Sequence, residues 1–138
     1  MKTTKNMINN KESKTDKRTR PISYGMKTID ASGRTLGRVA SEAAVLLLGK
    51  DKPTFERHLY SGSPVKVVNA SKIRITETKL TEITHKRYSG MPGGLRITPA
   101  SETKTKKGMK ELVRLATYQM LPGNKLRREM MKHLVVED

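Results

Sequence analysis

The chain has 138 residues, of which 29 are Lys or Arg and 13 are Asp or Glu, so its formal net charge at pH 7 is +16. A compact fold does not need this excess, which costs self-repulsion, and a polyanion such as nucleic acid would offset it. The absence of cysteine excludes disulfide frameworks, zinc knuckles and cysteine nucleophiles. No apolar run approaches the roughly 20 residues of a membrane-spanning helix, so we predict no membrane partner.

The first residues of the chain are rich in Lys, Thr, Asn and Ser and contain few apolar side chains. Such a segment cannot offset the entropy lost when it becomes ordered. We therefore predict that residues 1–25 form a flexible basic N-terminal arm and that residues 26–138 form a single domain. The sequence leaves open whether the arm becomes ordered on RNA or stays a solvated extension.

The first part of the predicted domain has the pattern of a strand, a helix and a second strand. Residues 26–30 predict a short strand, and apolar residues recur at helical spacing from Leu36 until Gly49 ends the helix. The almost continuous apolar run at residues 65–68 is typical of a strand covered on both faces, as in parallel sheets. Residues 73–76 alternate and predict a third strand nearer the edge.

A glycine-rich stretch with basic ends spans residues 86–96. Its three glycines and its proline exclude a helix or a strand interior and predict a loop. The glycines are Gly90, Gly93 and Gly94, and the cations are Lys86, Arg87 and Arg96. Glycines let main-chain N–H groups approach a phosphate that the cations neutralise. The alternative is a plain connection between a strand and a helix, charged because the whole chain is charged.

The C-terminal part predicts helices. Thr98 and the proline after it predict the start of a helix, and the polar residues 104–108 interrupt it. An apolar stripe then predicts a stronger helix from about Met109 to the turn at residues 122–124. A last helix is predicted over residues 125–133. Its cations, which project away from its apolar positions, are Lys125, Arg127, Arg128 and Lys132. This pattern favours contact with a nucleic-acid backbone over a merely solvated face.

Catalytic and metal-binding patterns do not emerge from the sequence. His58, His85 and His133 are far apart and have no ligand spacing, the acidic residues are scattered, and no serine lies in a nucleophile elbow. The glycine-rich stretch has neither the P-loop order nor G-x-G-x-x-G. We predict that the chain is not an enzyme, needs no cofactor, and has no metal site or small-molecule substrate. The enzyme alternative is a small nucleotide-binding transferase that uses the glycine-rich stretch.

The supply of aromatic residues limits how the chain could bind nucleic acid. One Phe, four Tyr and no Trp make a poor stacking platform for single strands. Recognition should therefore depend on backbone and shape. Folded RNA fits better than a DNA operator, because no two-helix recognition module is apparent.

Five ordered segments carry a resemblance to a known family. They are DASGRTLGRVA (residues 30–40), GKDKPTF (49–55), VNASK (68–72), SGMPGGL (89–95) and MLPGNKL (120–126). The chain resembles the bacterial-type L-thirteen family of large-subunit ribosomal proteins over nearly the whole predicted domain. The resemblance implies a three-layer α/β/α fold around a four-stranded, mainly parallel sheet. It also implies binding to large-subunit ribosomal RNA early in subunit assembly, with neighbouring large-subunit proteins as partners, no catalysis and no cofactor.

The resemblance also implies where RNA contacts fall, namely at the start of the first helix, at its end, in the glycine-rich stretch and on the last helix. The residues are Arg34, Arg38, Lys50, Lys52, Lys86, Arg87, Tyr88, Ser89, Gly90, Gly93, Gly94, Arg96, Lys125, Arg127, Arg128 and Lys132. The expected location is the ribosome, in the cytoplasm or in an organelle. A free regulatory RNA-binding protein that sequesters a transcript is the alternative function.

The chain departs from the family pattern at two pairs of positions. The family usually has His where Tyr88 stands and Tyr where Met91 stands, so a specific contact of the glycine-rich stretch is altered. Gly123 stands where Lys is common and Arg127 where Gly is common. The second pair of changes moves a positive charge along the chain without removing it.

Overall fold

The computed structural model describes residues 25–138, so the arm predicted for residues 1–25 lies outside the described residues except for Gly25. The described part contains strands, α-helices and one short 3-10 helix. In chain order they are β1 (Lys27–Asp30), α1 (Leu36–Leu48), β2 (Val65–Val68), the 3-10 helix (Ala70–Lys72), α2 (Glu77–Glu82), β3 (Thr84–Tyr88), β4 (Leu95–Pro99), α3 (Ala100–Met120), α4 (Arg127–Lys132) and β5 (Leu134–Val136).

The main sheet is parallel and has three strands in the order β1-β2-β5. Lys27 lies opposite Val65, and Val65 also lies opposite Leu134, so β2 is paired on both sides. Val65 and Val67 are fully buried, which is the burial that the apolar run predicted for this strand. The predicted strand, helix and parallel strand at the start of the domain are confirmed.

The predicted four-stranded sheet is wrong, because the main sheet has three strands, and two segments near it differ from the prediction. Residues 73–76 make a single bridge, between Arg74 and Thr35, because the chain turns into α2 directly after Thr76. The last helix ends at Lys132, and residues 134–136 then form β5 against the free edge of β2. Branched Val135 and Val136 fit a strand better than a helix end, because their side chains are stiff at χ1.

A second, separate sheet consists of the antiparallel pair β3 and β4. The glycine-rich stretch is therefore the end of a β-hairpin, and the loop predicted over residues 86–96 is limited to residues 89–94, because residues 86–88 and 95–96 belong to the strands. The loop connects two strands and not a strand and a helix. Thr98, predicted to cap a helix, lies in β4 instead, and α3 begins only after Pro99. Residues 78–87 divide between the end of α2 and β3.

The predicted interruption of α3 is confirmed but is shorter than expected. Only Gly108 leaves helical geometry (φ 78, ψ −179), while residues 104–107 stay helical. The part of α3 after Gly108 contributes Leu112 and Val113 to the core, where α1 contributes Val39 and Leu47, and all four are buried. Since α1 and α3 contact each other, the sheet does not separate them. The three-layer arrangement, in which helices cover both faces of the sheet, stays a prediction. Within residues 25–138, no helix is long and apolar enough to cross a membrane.

The segment before β2 crosses the C-terminal end of α1 at very short range. The backbone N–H of Ser63 donates to the carbonyl of Leu46 at 3.1 Å, and Ser61 and Ser63 are buried. A Cβ atom built on Gly62 would lie 1.9 Å from the carbonyl oxygen of Leu47. Only a residue without a side chain fits between the two backbones.

We predict that Gly62→Ala lowers the free energy of unfolding by about 1–3 kcal/mol, because the helix end and the crossing segment must separate to admit the methyl group. Urea unfolding monitored by circular dichroism measures the change. Gly37→Ala is the matched control, since nothing lies within 4 Å of its added Cβ. It should leave stability unchanged or raise it by up to about 1 kcal/mol, because alanine suits a helix better than glycine. Equal stability of the two variants would contradict the steric argument.

Candidate nucleic-acid interface

The hairpin formed by β3 and β4 carries two arginines on one face and three apolar side chains with one lysine on the other. Arg87 lies opposite Arg96, and Tyr88 lies opposite Leu95. Because neighbouring residues of a strand point to opposite faces, one face of the hairpin carries the two arginines. The other face carries Tyr88, Leu95 and Ile97, with Lys86 opposite Ile97. Tyr88, Leu95 and Ile97 are each more than half exposed. The sequence predicted the three cations, but only the register shows that the two arginines share one face and that Lys86 lies on the other.

The opposed arginines have an unusual electrostatic environment. Arg87 and Arg96 are exposed, and neither is paired with an acidic side chain within residues 25–138. Like charges directly opposite each other on neighbouring strands destabilise the pair. An anion bound between the two guanidinium groups would remove this repulsion.

The glycines at the tip of the hairpin have a conformational role. Gly90 and Gly93 have φ angles of 89° and 75°, in the left-handed region that side chains disfavour. The N–H of Ser89 donates to the carbonyl of Gly94 at 3.3 Å, and a Cβ on Gly94 would lie 1.9 Å from the Ser89 hydroxyl. The turn by itself accounts for these glycines, so the arginine pair carries the case for a phosphate contact.

Two predicted arginines lie at the N-terminal end of α1. Arg34 is partly exposed and pairs with the carboxylate of Glu42, whereas Arg38 is exposed. The N-cap residue Thr35 makes no side-chain cap, and the first turn of α1 has no acidic residue. The positive end of the helix dipole is thus not neutralised locally, which favours an anion beside Arg38.

The loop that leads to Arg34 is fixed by the carboxylate of Asp30. This group accepts a hydrogen bond from the Ser32 N–H at 3.0 Å and another from the Asn69 side-chain amide at 2.9 Å. The Ser32 N–H, and after it the Asn69 amide, hold the pKa of Asp30 below its usual value of 3.8. The interaction ties the end of β1 to the turn after β2.

The two predicted lysines after α1 differ in their surroundings. Lys52 is half-buried and donates to the carbonyl of Ser61 at 2.7 Å, and desolvation lowers its pKa. It therefore helps to hold the crossing segment in place. Lys50 is exposed and lines an open cleft of about 490 Å³ that also includes Phe55 and Arg57. Lys50 is the better placed of the two for an external phosphate.

Arg127 on the last helix is engaged inside the protein. Its Nε donates to the carbonyl of Pro122 and its Nη2 to the carbonyl of Leu121, each at 2.8 Å. Its guanidinium carbon lies 4.5 Å from the centroid of the Tyr118 ring. A Cβ on Gly123 would lie 3.1 Å from the same guanidinium, so the glycine leaves the space in which Arg127 packs. The charge at this position thus caps the end of α3.

The other cations of α4 face a groove of about 450 Å³ between α3 and α4. Arg128 and Lys132 line this groove together with Arg114 and Tyr118 of α3. Lys125 is exposed in the turn before α4. Neither Arg114 nor Tyr118 is among the residues predicted from the sequence. Their spacing of four positions on a helix, away from the apolar stripe, is the signal that could have identified them.

Two of the three histidines make ordinary side-chain contacts, whereas Nε2 of His85 is buried and has no hydrogen-bond partner in the described part of the chain. The ring of His133 stacks on Tyr60 with 5.1 Å between centroids, and His58 Nε2 lies 3.4 Å from the carboxylate of Glu56. Burial raises the pKa of Tyr60 to about 12, so its phenol stays neutral beside His133. In the described part of the chain, no three His, Cys, Asp or Glu side chains are grouped closely enough to hold a metal ion.

Comparison with known proteins gives the family. The model of the family described as ribosomal protein L13 matches residues 26–136. The chain belongs to the ribosomal protein L13 family. The resemblance carried by the five sequence segments is thereby confirmed.

The relatives in this family include large ribosomal subunit proteins uL13 from three bacteria. The protein of Geobacillus kaustophilus is 45% identical over 78% of this chain and 74% of its own length. The Moorella thermoacetica protein has the same identity and coverage, and the Natranaerobius thermophilus protein is 46% identical over 79% of this chain and 76% of its own length. These are names of ribosomal proteins and not of enzymes, in agreement with the prediction that the chain is not an enzyme.

We predict that Arg127→Ala lowers the free energy of unfolding by about 1–3 kcal/mol, because two hydrogen bonds to main-chain carbonyls and the contact with Tyr118 are lost. Urea unfolding measures the change. Arg128→Ala removes the same charge from the neighbouring exposed position and should alter stability by less than about 0.5 kcal/mol. If both variants were equally stable, the capping role of Arg127 would be wrong.

We predict that Asn69→Gly raises the pKa of Asp30 toward 3.8, because the donor on the Asn69 side chain is lost while the donors of Ser32 remain. Glycine also accepts the φ of 59° at this position. Since the folded state lowers this pKa, the interaction stabilises the fold above pH 3.8 and is lost as the pH falls through the lowered value. An NMR pH titration measures it. Asp51, whose pKa is lowered through Lys27, is the internal reference and should not change. An unchanged Asp30 would rule out the Asn69 contribution.

Proposed function

We propose that this chain is a constituent of the large ribosomal subunit that binds large-subunit ribosomal RNA through phosphate and shape contacts and supports early subunit assembly. Membership of the ribosomal protein L13 family supports the assignment to the large subunit. The net charge of +16 supports a polyanionic partner. The observation that carries the RNA contact is the pair Arg87 and Arg96 on one face of the hairpin.

The arginine pair suits a phosphate group in both charge and geometry. Side chains directly opposite each other on paired strands have Cβ atoms about 4.5–5.5 Å apart, so the two guanidinium groups can reach one phosphate. A guanidinium presents donors in a fixed fork that matches phosphate oxygens. A bound phosphate would therefore both satisfy the donors of Arg87 and Arg96 and remove their mutual repulsion.

The remaining exposed cations extend the contact over several elements. Arg38 lies at the start of α1, Lys50 after its end, Lys125 before α4 and Arg128 on α4. Several separate points of backbone contact are what a folded RNA with more than one helix requires. We propose that the tip residues 89–94 touch the same RNA beside the arginine pair. We also propose that Lys86 and Tyr88, which lie on the other face of the hairpin, contact the RNA from that side. Lys52 and Arg127 act indirectly, by holding the segments that carry their neighbours.

Neighbouring large-subunit proteins are the second class of partner in this proposal. The apolar face of the hairpin supports it, because Leu95 and Ile97 are 55% and 54% exposed and no phosphate contact would cover them. The bacterial relatives support a location in the ribosome, in the cytoplasm of a bacterial cell.

A free regulatory RNA-binding protein is the alternative function, and sedimentation distinguishes the two. The proposal requires stoichiometric recovery of this chain with large subunits in a sucrose gradient of cell lysate. Recovery mainly in the light fractions, away from subunits, would favour the alternative.

We predict that the double variant Arg87→Gln, Arg96→Gln binds large-subunit RNA about tenfold or more weakly, because charge-assisted hydrogen bonds contribute about 1.5–3 kcal/mol each. The slope of log K against log salt should become shallower by about 0.7–0.9, since the pair neutralises one phosphate and each neutralised phosphate contributes about that much. Filter binding of the full chain over a series of KCl concentrations measures both quantities. The melting temperature should not fall, because the variant removes a repulsion.

The matched control is Lys106→Gln, Lys107→Gln, which removes the same charge from the exposed side of α3. These lysines already pair with Glu102 and Glu111. Their loss should leave the salt slope nearly unchanged. Equal slopes for the two double variants would mean that total charge, and not the arginine pair, determines binding.

A further inference from the structure

The groove between α3 and α4 contains an aromatic ring among cations, which backbone contact alone does not require. Tyr118 is 45% exposed there, and Leu115 and Met131 line the same groove. The cations are Arg114, Arg128 and Lys132, against one carboxylate, that of Glu111. An apolar and aromatic surface surrounded mainly by positive charge suits a flat ligand that also carries negative charge.

The Tyr118 ring is held rigidly from one side. The guanidinium of Arg127 lies 4.5 Å from the ring centroid and is itself fixed by two main-chain carbonyls, those of Leu121 and Pro122. Arg127 does not line the groove, whereas Tyr118 does. The part of the ring that faces the groove is therefore open, and the arginine behind it restrains the ring without occupying the site.

The cations of the groove differ in how far they are neutralised. Arg114 lies 3.5 Å from the carboxylate of Glu111, and Lys132 lies 3.0 Å from that of Glu129. Arg128 is exposed and pairs with no acidic side chain among residues 25–138. An external anion would therefore interact more favourably with Arg128 than with the other two cations, which already have acidic partners.

We propose that this groove binds one unpaired nucleotide of the RNA, with the base stacked on Tyr118 and an adjoining phosphate on Arg128. The inference rests on the proposed RNA-binding function and adds to it a single stacking site. Charge complementarity selects an anionic occupant, and the open ring selects a planar one. A nucleotide combines both properties, whereas an acidic peptide segment has only the first.

The test compares Tyr118→Leu with Tyr118→Phe and Tyr118→Trp in filter binding to large-subunit RNA. Loss of a base stack costs about 1–3 kcal/mol, so the leucine variant should bind about tenfold more weakly. The phenylalanine and tryptophan variants keep a ring and should bind within about twofold of the unaltered chain or more tightly. A purely structural role of Tyr118 would instead make the bulky tryptophan variant at least as defective as the leucine variant.

Chemical probing of the RNA supplies an independent readout. Acylation of 2′-hydroxyl groups should show one unpaired nucleotide whose reactivity changes when the unaltered chain or Tyr118→Phe binds, but not when Tyr118→Leu binds. Val45→Ala is the control, because Val45 is an apolar side chain of α1, 42% exposed, that does not line the groove. When this variant binds, the reactivity of that nucleotide should change as it does with the unaltered chain.

The results separate this inference from the function on which it rests. A flat salt response of the unaltered chain would overturn the RNA-binding function itself. Salt-dependent binding with equal affinity and an equal reactivity pattern for Tyr118→Leu would overturn the nucleotide site alone. The site would also be overturned if Tyr118→Leu lost only the binding of a neighbouring ribosomal protein, since the groove would then be a protein contact.

Discussion

The pairing of β2 with strands on both sides is the constraint on which the rest of the structure depends. Val65 and Val67 are fully buried, so the strand is stable only between β1 and β5 and under the helices. β1 leads through a tight loop to Arg34 and α1, and β5 follows α4 after a single residue. The sheet thereby fixes both the start of α1 and the position of α4. The cations at these two places are therefore positioned by a hydrophobic core to which they do not themselves belong.

Positive charges in this chain divide into two groups with different physical roles. Lys52 and Arg127 direct their donors at main-chain carbonyls, where they hold loops and helix ends in place. Arg87, Arg96 and Arg128 have no acidic partner in the described part of the chain, and we propose that they bind an external anion. In a chain of net charge +16, composition alone does not distinguish the two groups, because both are basic residues near glycine or proline.

Of the two pairs of positions at which the chain departs from its family, one pair has a packing explanation. Gly123 leaves room for the Arg127 guanidinium, so the two changes depend on each other. The sequence comparison suggests that a positive charge has moved along the chain to Arg127. This guanidinium donates hydrogen bonds to the carbonyls of Leu121 and Pro122. Tyr88 and Met91 are 62% and 68% exposed on the hairpin, and no contact within residues 25–138 explains them.

The sequence by itself determined the family, the excess of positive charge, the first βαβ unit and the hairpin cations, because each depends on local pattern or composition. It also located the break at Gly108 and the turn before α4. Only the tertiary structure decided that residues 134–136 are a strand, because a three-residue strand owes its existence to the free edge of β2. The same holds for the groove around Tyr118, which two helices far apart in sequence form together, and for the arginine pair, whose common face depends on register. Long-range pairing is what local pattern cannot specify.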